Sequence, residues 1–426
     1  MRYIHIPVAL AALTLLGCGD DTPTNPGRST LDPPINYAFE SRFVANEGAV
    51  SYSGQTVRNL LIQDLKIAID ALASDGAAGI TETDLLRFYE YDDALDMTSL
   101  TSVDGSLLEP NYSSISTGKN LSGKISGDVL LGAGKTADTM IRDWIATVAA
   151  NSEDPAKLGT PAVLWDTDGR DLAQMINKLL LGSVVYYQAT GVYMAGILGK
   201  DNSEPKPDKV YTAMEHAWDE AFGYYGASRD YRSYSDDGLA GKNGELFYGD
   251  TNNDGLIDFE SEYNFGFSRN AGKRDRSASD VNFTEDIFAA FIEGRTHIVN
   301  GATQAELLDA VDRAAGGWEK VIAATVVHYI NDTAGDMAAL GTPDENRGNL
   351  SKHWSEMKGF AMGLQYNPIK EIGETDLTRT LGLLGDAPSF AAPGTGDYNS
   401  ALADLMAARD ILQAAYGFSS ADVEGW

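Results

Sequence analysis

The chain has 426 residues, 62 of them acidic and 32 basic, for a formal net charge of −30 at pH 7. A field of that sign repels nucleic acid and anionic lipid and draws cations to the surface, which argues against nucleic-acid binding. The single cysteine, Cys18, excludes a disulfide within one chain.

The chain opens "MRYIHIPVALAALTLLGCGDD". Arg2 precedes an apolar run from Ile6 to Leu16, too short to span a bilayer comfortably and closed by small residues. This pattern predicts a secretory signal over residues 1–17. Leu15-Leu16-Gly17-Cys18 resembles the lipobox of bacterial lipoproteins, which implies lipidation of Cys18. Gly19 follows, where an aspartate would imply inner-membrane retention, so the outer membrane is expected, on either leaflet. "GDDTPTNPGRSTLDPP" has little to bury, and residues 18–35 are expected to be a flexible tether. Residues 36–426 then form the body.

Apolar residues at helical spacing predict helices over 56–74, 136–151, 303–332 and 397–418. The third opens Thr303-Gln-Ala-Glu306, a capping box, and its Gly316-Gly317 marks either a break or a close contact. Residues 179–198 carry no charge over a length that could span a membrane, but hold Ser183, Gln188, Thr190 and three tyrosines. A central helix buried by other helices is expected there. Convincing alternating strands are few, so the fold class is all-α, a multi-helix bundle array with long loops and little or no sheet.

"DTNNDGLIDFESE" (250–262) follows a calcium-loop pattern. Asp250, Asn252 and Asp254 alternate as oxygen donors, Gly255 takes the sharp turn, the Leu256 carbonyl and Asp258 follow. Position 12 is Ser261, with Glu260 and Glu262 on either side. The expected role is structural calcium; the bland alternative is an Asx-rich turn.

Four histidines lie beyond the signal: His216, His297, His328 and His353. In "MEHAWDEAFGYYG" His216 precedes Asp219 and Glu220 by one helical turn; in "KHWSEMKGF" His353 precedes Glu356 likewise. A His-x-x-Glu pair can offer one nitrogen and one oxygen to a cation, and two such helices facing each other would form a carboxylate–histidine site. A histidine on a helix is also often an ordinary polar residue of that helix. Met357 excludes the inverted zinc motif, and the chain has no His-Glu-x-x-His, no Gly-x-Ser-x-Gly elbow and no Walker loop. Lys273, Arg274 and Arg276 form a basic patch, expected to be a loop paired with nearby acids, with anion binding the alternative.

Together with the lipobox, the blocks "MEHAWDEAFGYYG", "LLLGSVVYYQATGVY" and "KHWSEMKGFAMGLQYNP" resemble a bacterial lipoprotein family catalogued as a domain of unknown function, DUF4856. That family is in turn similar to the imelysin-like (peptidase M75) lipoproteins. The resemblance implies two bundle-like helical halves and a metal site, with iron favoured, at His353 and Glu356. Ser351 stands where the imelysin pattern has glycine. The functional expectation is an outer-membrane lipoprotein that binds iron, a related cation or an iron-bearing ligand, with His216, Asp219 and Glu220 facing or supporting that pair. The alternatives are a metallopeptidase, or a metal-free module that docks to a transport partner.

Overall fold

A computed structural model describes residues 30–103 and 106–426; the predicted signal, Cys18 and most of the tether lie outside the described residues. The end of the predicted tether is docked. Leu31 exchanges hydrogen bonds of 2.9 Å with the side chain of Asn300 through both its backbone N–H and its carbonyl.

The chain is all-α and bundle-like. Its only strands among the described residues are Ser102–Val103 and Ser106–Leu107, a short antiparallel hairpin. In the first part come α1 (Ser53–Ala71), α2 (Glu82–Tyr89), a single turn α3 (Tyr112–Ile115), α4 (Ala137–Ser152) and α5 (Leu172–Leu180). Helix α1 is buried on nearly every side, and it carries Asp64 into the core. That carboxylate accepts hydrogen bonds from Leu100 N–H (3.0 Å) and the Thr101 hydroxyl (2.7 Å), and the Tyr112 hydroxyl also donates to it, which pins the hairpin region to α1. A buried acid tolerates removal from water only with such partners.

Then follow α6 (Ala213–Tyr225), α7 (Asp236–Ala240), α8 (Gly266–Asp275), α9 (Phe283–Asn300), α10 (Gln304–Ala339), α11 (Arg347–Gly363), α12 (Glu374–Leu383), α13 (Gly396–Tyr416) and α14 (Ser420–Gly425). Helix α10, 36 residues long, packs on α8, α9, α11 and α13. Its capping box at Thr303 and Glu306 forms as the sequence predicts. Gly316-Gly317 does not break it. A β-carbon on Gly317 would lie 2.8 Å from Ile287, so this glycine marks a close helix contact. The buried apolar side chains form one continuous cluster.

The uncharged segment is largely buried as far as Thr190, while its end is open to solvent at Val192 and Leu198, and no helix among the described residues is long and apolar enough to cross a membrane. Its form differs from a plain α-helix: α5 runs directly into a π-helical stretch, Leu181–Met194. π geometry is rare and usually confined to single turns. Here the Ser183 and Thr190 hydroxyls bond back to the Leu179 and Tyr186 carbonyls, four residues earlier, at 2.7 and 2.8 Å. The stretch crosses α11 where glycine meets glycine: a β-carbon on Gly182 would sit 2.6 Å from the Gly363 α-carbon.

Backbone cannot yield as a side-chain tip can. Gly182→Ala is therefore expected to cost about 1–3 kcal/mol, within the usual range for overpacking. Gly363→Ala, whose β-carbon would meet Gly182 at 3.2 Å, is expected to cost less. Denaturant midpoints of the two variants check both magnitude and order; a fully stable Gly182→Ala protein would contradict the contact.

Candidate functional site

The two helices that carry the expected histidine–acid pairs, α6 and α11, serve different surroundings. Helix α6 begins with a capping box, Thr212 with Glu215. Its two inner carboxylates hold a cation from α9. Arg295, fully buried, donates to Glu215 Oε1 at 3.0 Å and to Asp219 Oδ1 at 2.9 Å. Asp219 also accepts from the Tyr37 hydroxyl (2.8 Å) and Ser51 N–H (3.3 Å), and Glu215 from Arg42 (2.9 Å). Burial pushes Asp219 up to about 6 against the pull of Arg295. Glu215, desolvated but facing both Arg295 and Arg42, ends below the ordinary carboxylate value.

His216 packs beside this cluster, against the same Ser51 that Asp219 bonds. Its Nδ1 is 3.1 Å from the Ser51 carbonyl, and its ring stacks on Tyr211. Nε2 is 3.7 Å from Glu220, which also accepts from Gln55 (3.0 Å) and Tyr193 (3.1 Å). Burial lowers the His216 pKa despite Glu220.

His353, on α11, shares no partner with His216. Its Nδ1 is 2.7 Å from Asp336 Oδ2, and its Nε2 is 3.9 Å from Asp332 Oδ2. His328 reaches the same Asp332 oxygen with its Nε2 at 3.3 Å, while its Nδ1 lies 2.6 Å from the Trp426 carbonyl oxygen. His328, Asp332 and Asp336 are spaced by four along α10, so they form one face of that helix, turned toward α11. This His-x-x-x-Asp-x-x-x-Asp spacing is visible in the sequence, but nothing in the sequence pairs it with His353. For His353 burial is outweighed by the Asp336 bond and the charges of Asp336 and Asp332, which hold it above the ordinary imidazole value. His328 is pushed below it by burial and by the nearby Arg274.

Glu356 has separate work. Its Oε1 lies 3.2 Å from Lys178 Nζ, and the partly buried Tyr329 also faces it. Desolvation works against its charge, but Lys178 and Lys352 hold it below the ordinary value. The His353–Glu356 pair thus divides between two different partners rather than turning both donors to one point. Among the described residues, no group of three or more His, Cys, Asp or Glu side chains is closed up, as it stands, to hold a metal ion.

In the 250–262 loop the acidic oxygens are largely turned onto their own backbone. Asp250 accepts from Asp254 N–H (3.1 Å) and Gly255 N–H (2.8 Å), and Asp258 from Glu260 N–H (2.7 Å). Asn252 bonds Asp254, Asp254 bonds Leu256 N–H, and Gly255 takes a φ of +88°. Glu262 is buried inside the loop and accepts from Thr251, Asn252 and Asp258 N–H groups. That acid, not Ser261, closes the turn.

The architecture is thus an all-α bundle carrying enclosed ionic clusters on its long helices. The model of the family described as "Domain of unknown function (DUF4856)" matches residues 34–380, and the chain belongs to that family. No curated protein and no solved structure matches it.

Two enclosed aspartates away from the histidines bear on pH. Burial raises both Asp171 and Asp275 to about 6, although each accepts backbone N–H bonds. Unfolded aspartate titrates near 3.9. The folded chain therefore holds these protons more tightly, and the groups add stability as pH falls through about 6. His353, raised, acts in the same sense; His216 and His328, lowered, act against it. Repulsion within the −30 charge also eases as carboxylates protonate. The melting temperature is expected to be higher at pH 5.5 than at pH 8, and a steady decline over that interval would contradict this balance.

Proposed function

We propose that the chain is a lipid-anchored binding protein that takes iron or a related divalent cation between α10 and α11, on His328, Asp332 and His353. The observation that carries this reading is the orientation of the two imidazoles. Each Nδ1 faces an oxygen acceptor, Asp336 in one case and the Trp426 carbonyl in the other, which turns each Nε2 toward the Asp332 carboxylate and makes it, in the neutral ring, the atom that carries the lone pair. Two lone pairs aimed at an anion repel it unless a cation or proton lies between them. Oxygen acceptors behind Nδ1 are also the usual support for a metal-binding imidazole.

Imidazole with carboxylate suits iron and zinc. Ligands that share such an ion at about 2.0–2.2 Å lie roughly 3–3.5 Å apart. The His328–Asp332 separation of 3.3 Å fits, and His353, at 3.9 Å, has to close by several tenths of an ångström. In this reading Glu356 is a positioning acid that fixes Lys178, and the α6 residues His216, Asp219 and Glu220 lie outside the site.

Calorimetric titration of the full chain with zinc, and with ferrous iron under anaerobic conditions, tests it. One ion per chain is expected at neutral pH, weakened at least tenfold in both His353→Ala and His328→Ala and unchanged in His216→Ala. Wild-type affinity in the two former variants would end the reading. Calcium titrated separately, with Asp250→Asn as its control, examines the proposed structural site on Asp250, Asn252, Asp254, Leu256 and Asp258; an identical response in both proteins would remove it.

The anchor and the outer-membrane location rest on the Leu-Leu-Gly-Cys pattern at Cys18. Cys18→Ser is expected to move the protein from the membrane fraction to the soluble one, and unchanged membrane recovery would argue against lipidation there.

A further inference from the structure

The basic patch read from the sequence as a loop is the last turn of α8 with its cap, and it does not stay together. Arg276 pairs with Asp237 at the surface, and Arg274 is buried against α10, near Tyr329 and Asp332. Lys273 turns the other way. It joins Arg269, one helical turn earlier on α8, in the wall of a partly open cavity of about 330 Å³. The cavity lies between α1, α5 and α8, with Phe360 of α11 contributing to its lining.

Four cations line it: Lys66, Lys178, Arg269 and Lys273. No acid does, in a chain with about two acids for every base. Two of the four are neutralised from outside the cavity, Lys66 by Asp70 and Lys178 by Glu356. The other two have no carboxylate. Arg269 donates to the Leu239 carbonyl at 3.2 Å and lies 3.4 Å from the centre of the Phe247 ring. The Lys273 side chain makes no hydrogen bond or ion pair among the described residues. Enclosure, with Arg269 and Lys178 beside it, pushes its pKa down to about 7. Asn270, also in the lining, makes no side-chain hydrogen bond among the described residues either.

A cation partly withdrawn from water without a partner is destabilised or sheds its proton more readily, and clustering like charges adds to that cost. A chain this rich in aspartate and glutamate had partners to place there. The walls are of a different kind: Phe247, Phe360, Leu181 and Ile62 offer apolar surface. A volume at the lower end of the range for ligand pockets, with apolar walls and a few convergent polar groups, is the usual form of a small-molecule site.

We propose that this cavity binds a small organic anion, its carboxylate or phosphate set between Lys273 and Arg269 and its flat apolar part against Phe247 and Phe360. The inference stands apart from the cation reading, because none of His328, Asp332 and His353 lines the cavity.

Three probes with the same ring test it by calorimetry on the full chain at pH 6.5: phenyl phosphate, benzoate and neutral benzamide. At least one of the two anions is expected to bind one per chain, at least tenfold tighter than benzamide, and which of them does so identifies the headgroup. Lys273→Met is expected to weaken that anion at least tenfold while raising the melting temperature, since it removes an uncompensated enclosed charge. Lys273→Arg, which keeps the charge, is expected to retain anion preference. Lys135→Met, which breaks an exposed pair with Asp143, is expected to leave anion binding as it is. Equal binding of all three probes, or undiminished anion binding by a folded Lys273→Met protein, overturns the proposal.

Discussion

The guanidinium of Arg295 is the constraint around which the α6 side of the molecule is arranged. It is fully enclosed, and a cation in that position requires anions at fixed places. Glu215 and Asp219, one turn apart on α6, supply them. The same two acids reach outward to Arg42, Tyr37 and Ser51, so the segment before α1 is held by the network too. Breaking such a cluster from one side leaves an unmatched charge in the interior, a loss of about 3–5 kcal/mol. The carboxylates that face α9 are thereby committed to Arg295, and His216 packs instead on Ser51 and Tyr211.

A second acid organises the other end in the same manner. Glu319 of α10 is buried and accepts bonds from Asn367 (2.7 Å), from the backbone N–H groups of Glu371 (2.9 Å) and Ile372 (3.3 Å), and from the Tyr416 hydroxyl (2.9 Å). One carboxylate thereby ties the loop after α11 and the end of α13 to the long helix. With Trp426 donating to the Arg274 carbonyl at 3.0 Å, the last helices are held against α8 and α10 by polar bonds as well as by apolar packing.

The helices were legible because helical periodicity is a local property. Expected segments over 56–74, 136–151, 303–332 and 397–418 correspond to Ser53–Ala71, Ala137–Ser152, Gln304–Ala339 and Gly396–Tyr416. The burial of the uncharged segment was legible too, from its composition. Its π geometry was not, since no residue spacing announces it. The candidate site was legible only in part. His353 and Glu356 do share a helix, but their partners come from α10 and α5, and no local pattern encodes which face of α11 meets which neighbour. His216 resembles His353 in its own turn of helix, yet Ser51 and Tyr211 decide its surroundings. The basic patch misled for a related reason: consecutive residues on a helix point about 100° apart, so Lys273 and Arg274 enter different environments.

The glycines of α11 carry one further implication. A β-carbon on Gly359 would lie 2.6 Å from the β-carbon of Lys178, just as one on Gly182 would strike Gly363. Four residues apart, Gly359 and Gly363 together work as a ruler laid between two helices. They fix the depth at which α5 seats, and with it the height of an ammonium group above its carboxylate. A methyl group added at Gly359 would shift an electrostatic pairing without touching either charged residue, so in this bundle the placement of charge is written partly in hydrogen atoms.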